Sequence, residues 1–354
     1  MEIQTLQDIP EQEKFISQSC IACGKRCEMK MFLRYRLGIK PKVAEFKKAP
    51  RLGDIFHLLM KYGPEGIETV RASVRADQDA LMKRVSAGED LTGELARTCQ
   101  GLTELFNKAL VMAQIFWTKF PQPANLKTLA REIKIVMPPD ANCKYPRRGK
   151  IDLLQVDEND RSVWVRDSKT TSRDTMFTLS GCGWSIQSRF YRMLTSHYIK
   201  EMIDVSKIMG FIYDVAQVPG IKMCGKDEKG AKEENITSFE FYMKRVKTWY
   251  ADKGIEAMSS KAIVFNEPMM PAELQRAIDR IVELFDRPLD PANFDRDVTM
   301  DSCKCYNRTC DYMKLCESSP AGWPSIINAL YMIQVPDSYG EEETEASAEG
   351  ETNE

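Results

Sequence analysis

Residues 149–171, GKIDLLQVDENDRSVWVRDSKTT, hold side chains whose types and spacing can do chemistry. Apolar, β-rich runs flank Asp157-Glu158-Asn159-Asp160 and read as two antiparallel strands joined by a two- or four-residue turn. A turn centred between Glu158 and Asn159 sets Asp152 opposite Val165. Side chains alternate between faces, so Asp152, Asp167 and Lys169 project to the same side. Diagonal neighbours in such a pair lie about 7 to 8 Å apart at the backbone, which lets one divalent cation reach both carboxylates. Ile151 and Leu153-Leu154 on one strand, with Val163-Trp164-Val165 on the other, indicate burial on both faces. An unpaired carboxylate there costs several kcal/mol or is forced neutral, and a cation removes that cost. The plainer alternative is an Asp-Lys salt bridge at a strand end.

The cysteines form a second concentration of chemistry. Cys99, Cys143, Cys182 and Cys224 are isolated and read as small buried residues. The other seven of the eleven cluster as Cys20, Cys23 and Cys27 near one end and Cys303, Cys305, Cys310 and Cys316 near the other. The polar, acidic beginning MEIQTLQDIPEQEK is unlike a secretory signal, so metal binding is expected of these thiols rather than a disulfide framework.

The elements that must position these residues follow from periodicity. Residues 12–38 read as a helix stopping at Gly38, and Pro41 and Pro50 mark a linker. Apolar residues at three- and four-residue spacing make Gly53 to about Phe120 helical throughout, until PQPAN breaks the pattern. Strand-like REIKIVM, GKIDLLQV and SVWVRDSK follow, then a helix of about twenty residues, WSIQSRFYRMLTSHYIKEMI, and a strand, GFIYDVAQV. Lys226 to Asn235 reads as a charged loop. SFEFYMKRVKTWYADKG and PAELQRAIDRIVELFDR are helical, with a short strand or loop between them. This order implies a mixed α/β sheet covered by helices.

The 354 residues are 43% hydrophobic and 29% charged, which excludes disorder throughout, and no apolar run is long enough to span a bilayer. A soluble, cytoplasmic protein is expected. The net charge of -2 conceals an asymmetry. Residues 337–354 hold eight acids and no Lys or Arg, which leaves the remainder with 50 basic against 44 acidic residues, a charge of +6. A mildly basic body with a solvated acidic tail is compatible with a polyanionic partner.

GKIDLL followed by Asp167-Ser168-Lys169 resembles the paired-acid and lysine signature of the PD-(D/E)XK nucleases. Gln187-x-x-x-Tyr191, on one face of the next helix, is similar to the extra motif of the RecB branch. Gly53-Asp54-Ile55-Phe56-His57 resembles that branch's G-x-x-x-H. The only other histidine, His197, reads as a satisfied core residue. Glu132 loosely matches an acidic position on the preceding strand. CEMKMFLRYRLG, from Cys27 to Gly38, looks like the C-P-x-x-F-x-x-x-Y-x-x-G stretch of iron-sulfur RecB-type nucleases, with Glu28 in place of Pro. CYNRTCDYMKLC supplies Cys305, Cys310 and Cys316, and Cys303 is an alternative to Cys305. The resemblance covers residues 15–60 and 125–320.

The resemblance implies a restriction-endonuclease-like core, a mixed central sheet flanked by helices, with a helical insert. The expected division is 1–60 (N-terminal helices with a cluster cysteine and the histidine motif), 61–120 (insert), 121–320 (nuclease core), 321–336 (extension) and 337–354 (tail). His57, Asp152, Asp167 and the Ser168 carbonyl would hold Mg²⁺ or Mn²⁺, Lys169 would orient water, and Gln187 and Tyr191 would position the strand or the lysine. Cys27, Cys305, Cys310 and Cys316 would hold a [4Fe-4S] cluster, with Zn²⁺ as the rival.

The implied activity is DNA exonuclease action on single-stranded ends, in recombination, repair or CRISPR-type processing in a bacterium or its phage. A helicase or recombination partner is expected, and no membrane. FLRYR, SRFYR and FYMKRVKTWY interleave basic and aromatic residues as a base-stacking channel does, although amphipathic packing explains such stripes equally well. The competing readings are a catalytically silent nucleic-acid-binding scaffold with structural zinc, and an endonuclease of the same fold.

Overall fold

A computed structural model describes residues 3–42, 48–88, 93–183, 185–200, 202, 207–265, 271–297, 303–305 and 308–334. The acidic tail expected at 337–354 lies outside them. The N-terminal stretch expected as one helix is broken into α1 (Gln18–Arg26), α2 (Glu28–Met31) and a π-helical turn over Phe32–Arg36. The break falls at Cys27, whose extended backbone (φ -158°) ends α1 and caps α2. Strand β1 (Ile39–Pro41) follows, then α3 (Lys48–Tyr62), α4 (Ile67–Ser86) and α5 (Glu94–Lys119), as the spacing of apolar residues predicts.

The centre is a five-stranded sheet of β2 (Leu126–Met137), β3 (Arg147–Asp157), β4 (Val163–Thr171), β5 (Ile208–Gln217) and β6 (Met258–Val264), in that spatial order. Neighbours are antiparallel except β4 and β5, which are parallel. Parallel pairing needs a crossover, and this one consists of α6 (Thr175–Cys182) and α7 (Ile186–Ile199). Helices α8 (Gly225–Glu234) and α9 (Ser238–Lys253) connect β5 to β6, and α10 (Pro271–Asp286) follows β6.

Two apolar cores result. One joins Ile151, Leu154, Val165 and Phe211 of the sheet to α1, α7 and α10. The other packs α3, α4, α5 and α9 together, with Ala216 and Met258 of the sheet. The architecture is therefore the mixed, helix-flanked sheet expected of a restriction-endonuclease-like core.

Two sequence expectations are corrected. Lys226 to Asn235 is not a loop but helix α8. Its periodicity is hidden because most of its surface is charged, and its stability is tertiary: Gly230 lets the Phe241 ring of α9 approach closely, and the buried Asp227 pairs with Arg245 at 2.7 Å. The hairpin register is the second. Leu154 pairs with Val165 and Val156 with Val163, which centres the turn between Asn159 and Asp160. The turn closes through Arg161 N–H to the Asp157 carbonyl at 2.8 Å, with Arg161 in the left-handed region at φ 60°. A shift of two residues preserves faces, because side chains repeat every second position.

Candidate active site

Residue pairing between β3 and β4 stops at Leu153–Arg166, one position before Asp152 and Asp167 would meet. Helix α3 supplies the group that bridges them. Gly53 permits this approach, since a methyl there would lie 3.0 Å from Thr170 Oγ1 of β4. One turn on, His57 Nε2 lies 2.7 Å from Asp152 Oδ2, and Nδ1 lies 3.0 Å from the Ser168 carbonyl oxygen. With an acceptor on each nitrogen, the ring is held as an imidazolium. Burial pushes the His57 pKa down, but the charge and hydrogen bond of Asp152, the charge of Asp167 and the Ser168 carbonyl outweigh it and raise it to about 9. Asp152 is likewise raised by burial but brought down to about 2 by His57, Lys61 and Lys169.

Asp167 is 3% exposed. Neither of its carboxylate oxygens has a well-formed hydrogen bond, although Lys169 Nζ comes within 3.0 Å of Oδ2. Lys169 Nζ also donates to Gln187 Oε1 of α7 at 2.8 Å. Burial lowers the Lys169 pKa, yet the charges of Asp167 and Asp152 hold it above the ordinary value. Tyr191, one turn beyond Gln187, is buried in the core beside Gly149, whose missing side chain lets α7 lie against β3. The second histidine, His197, is half-buried near the end of α7.

Ligand atoms of His57, Asp152 and Asp167 lie within 4.8 Å of one another. Orphaned, buried carboxylate oxygens beside an imidazole and a backbone carbonyl form the hard-donor set that suits Mg²⁺ or Mn²⁺. The residues present therefore fit such an ion.

Several neighbours escaped the sequence reading. Lys61, 5% exposed and one turn after His57, pairs with Glu132, and Lys150 reaches the same carboxylate at 3.3 Å. Lys61 was detectable in principle as the i+4 partner of His57 on one helix face. Glu132 is thus spent on lysines and is not among the grouped metal donors. It occupies the left-handed region at φ 51°, on the strand position facing Asp152, which places backbone strain beside the site. Asp54, three residues before His57, is raised to about 6 by burial, against the lowering effect of Arg51 and His57.

The aromatic residues of the three interleaved stretches do not form a stacking channel. Phe32, Tyr35, Phe190, Tyr191, Tyr242 and Tyr250 are core residues. Phe177 on α6 is an exposed ring, with the Arg173 guanidinium 4.9 Å from its centroid.

The cysteines of the two chain ends converge. Burial and the neighbouring Cys27, Cys310 and Cys303 push the Cys316 thiol up to about 11. Burial also raises Cys303 and Cys310, each with Cys27 as a further cause. Cys303 therefore lies near Cys27 and Cys316, and the side chain of Cys305 lies outside the described residues. The Lys30 N–H donates to Cys27 Sγ at 3.4 Å. Glu28, which departs from the resemblance's Pro, grips α10 through Arg280 and through Arg287 at 2.7 Å. Cys20 and Cys23 lie in the apolar core.

The model of the PD-(D/E)XK nuclease superfamily matches residues 16–317. The chain belongs to that superfamily, and its hydrolytic machinery is of the nuclease type. No curated protein matches it. A crystal structure of protein VC1899 from Vibrio cholerae is similar at 10% identity and a TM-score of 0.17, over 64% of this chain and 61% of that one. That similarity is too slight to inform on fold or activity.

Proposed function

We propose that the chain is a divalent-metal-dependent DNA exonuclease of the RecB-like branch, acting on single-stranded ends in recombination, repair or CRISPR-type DNA processing. The observation that carries the nuclease reading is the meeting of His57, Asp152 and Asp167 with an ammonium group, Lys169, on the Asp167 carboxylate. His57, Asp152, Asp167 and the Ser168 carbonyl would hold Mg²⁺ or Mn²⁺, and the ion, when bound, supplies Lewis-acid activation of water and phosphate. Lys169, fixed by Gln187, is placed to orient an attacking water and to neutralise charge developing on the phosphate. Asp152 stays ionised at neutral pH because the cations around it outweigh the effect of burial, which keeps it ready as a ligand. His57 gives up a proton when it becomes one.

Cys27, Cys303, Cys310 and Cys316 are the proposed ligands of a [4Fe-4S] cluster, with Cys303 in place of the expected Cys305. Three thiols raised by burial and by their neighbours, with Cys27 beside each of them and accepting a backbone N–H, support soft-metal ligation. Absorbance in the visible range from anaerobically purified protein supports iron, and a colourless protein with stoichiometric zinc refutes it.

Purified protein incubated with Mn²⁺ and single strands tests the activity. Degradation of end-labelled linear strands with circles left intact is the expected result. Cutting of circles makes the protein an endonuclease, and no cutting makes it a binding scaffold. Lys169→Ala is expected to lower the cleavage rate by about 10²-fold or more.

A further inference from the structure

The face of α7 turned away from Gln187 lines a second feature. An open cavity of about 480 Å³ lies where α1, α7 and α10 meet, bounded by Lys25, Ile186, Arg189, Glu273, Arg276 and Arg280, with Ala277 at its wall. Arg189 is 8% exposed, and although its Nη1 is paired with Glu273, its buried Nε–H has no acceptor. Arg280 is balanced by Glu28 and Glu283. Lys25 and Arg276 are exposed and have no carboxylate partner among the described residues. Two exposed cations without a carboxylate partner, beside the guanidinium groups of Arg189 and Arg280, leave the cavity with a surplus of positive charge that suits an anion.

We propose that this cavity holds backbone phosphates of the nucleic-acid strand whose end lies in the metal site. Two observations favour a strand over a compact ligand. No aromatic ring or side-chain amide lines the cavity to read a base, so it recognises phosphate charge alone. Ile186 and Arg189 also lie on the helix face opposite Gln187 and Tyr191, so the two sites are about one helix diameter, ~10 to 12 Å, apart. The helix body lies between them, so a strand reaches the cavity around half the helix circumference, ~17 Å, which at ~3.4 Å per nucleotide is roughly five nucleotides and beyond a strand of four. The identity of the phosphate carrier rests on the nuclease reading, while the anion site does not.

The test titrates metal-free protein, which cannot cut, with fluorescent oligothymidylates of about 4 and about 20 nucleotides over a range of salt, beside Lys25→Ala/Arg276→Ala. For the long strand the double variant is expected to bind about 10-fold more weakly at ~0.1 M salt, with its logarithmic salt slope reduced by about 1.4. Its affinity for the short strand, its Mn²⁺ uptake and its melting temperature should equal those of the parent. Unchanged long-strand affinity and slope overturn the proposal even if the parent protein cuts DNA. Weakened long-strand binding by a parent that does not cut under Mn²⁺ leaves the cavity standing and removes the nuclease reading. Stoichiometric uptake of inorganic pyrophosphate, with long-strand affinity unaffected by the substitutions, assigns the cavity to a free phosphate ester and overturns the strand.

Discussion

The carboxylate site and the cysteine group are both assembled from distant parts of the chain, but they solve their electrostatic problems in opposite ways. At the carboxylate site each acid has a nearby cation: Asp152 has His57, Asp167 has Lys169, and Glu132 has Lys61 and Lys150. The charges of the site are compensated as it stands, and a metal ion held there would displace the His57 proton. Burial and neighbouring thiols instead raise Cys303, Cys310 and Cys316, which stay protonated at neutral pH and would contribute little until a soft metal stabilised the thiolates. A sheet holds the first site, whereas the second brings Cys27 near Cys303, Cys310 and Cys316 from the other end of the chain. The carboxylates should therefore govern turnover, and the cysteines stability.

Paired substitutions break or confirm this contrast with the largest effect. Asp167→Asn should lower cleavage by about 10³-fold or more while leaving the melting temperature within a few degrees. Cys310→Ser should lose visible absorbance and cost about 3 to 5 kcal/mol in denaturant unfolding, comparable to removing a cross-link that closes a long loop. Equal loss of stability in both variants would erase the distinction.

A pH series on metal-free protein sharpens it. His57, at about 9 against its ordinary 6.5, contributes stability that is complete below pH 6.5 and is lost as pH rises through 9. Asp152, at about 2 against 3.8, contributes fully above pH 3.8 and loses that as pH falls through 2. Both shifts report one ion pair and are not added. Metal-free protein should be most stable between pH 3.8 and 6.5 and lose about 3 kcal/mol by high pH, read from urea midpoints. A midpoint that holds constant from pH 6 to 10 contradicts the His57–Asp152 pair.

The smallest expected effect belongs to Gln187→Ala, which removes the acceptor that holds Lys169. The rate should drop about 10-fold at saturating substrate with Mn²⁺ affinity unchanged, and Gln187→Glu should restore part of it. A drop in Mn²⁺ affinity of the same size would place Gln187 on the metal rather than on the lysine.

Much of this was legible in the linear chain because the determinants are local. Asp152, Asp167 and Lys169 share a face by strand alternation alone, and that parity survived a register error of two residues. Helix spacing marked α3, α5, α7, α9 and α10 for the same reason. Helix α8 was not legible, since its burial depends on a glycine meeting Phe241 from another helix. The interleaved aromatics misled because a core stripe and a stacking surface have the same period.

What the sequence by itself determined is the donor inventory: two acids and a lysine on one strand face, a histidine four residues after a glycine, and cysteines gathered at two positions. Only the tertiary structure decided that His57 closes the gap where β3 and β4 part, that Lys61 and Lys150 claim Glu132, and that Cys303 joins Cys27, Cys310 and Cys316. It also decided that the far side of α7 is a cationic cavity. The division has a physical cause. Backbone periodicity fixes which way a side chain points, but the charges and donors it meets come from segments up to nearly three hundred residues away, brought there by core packing.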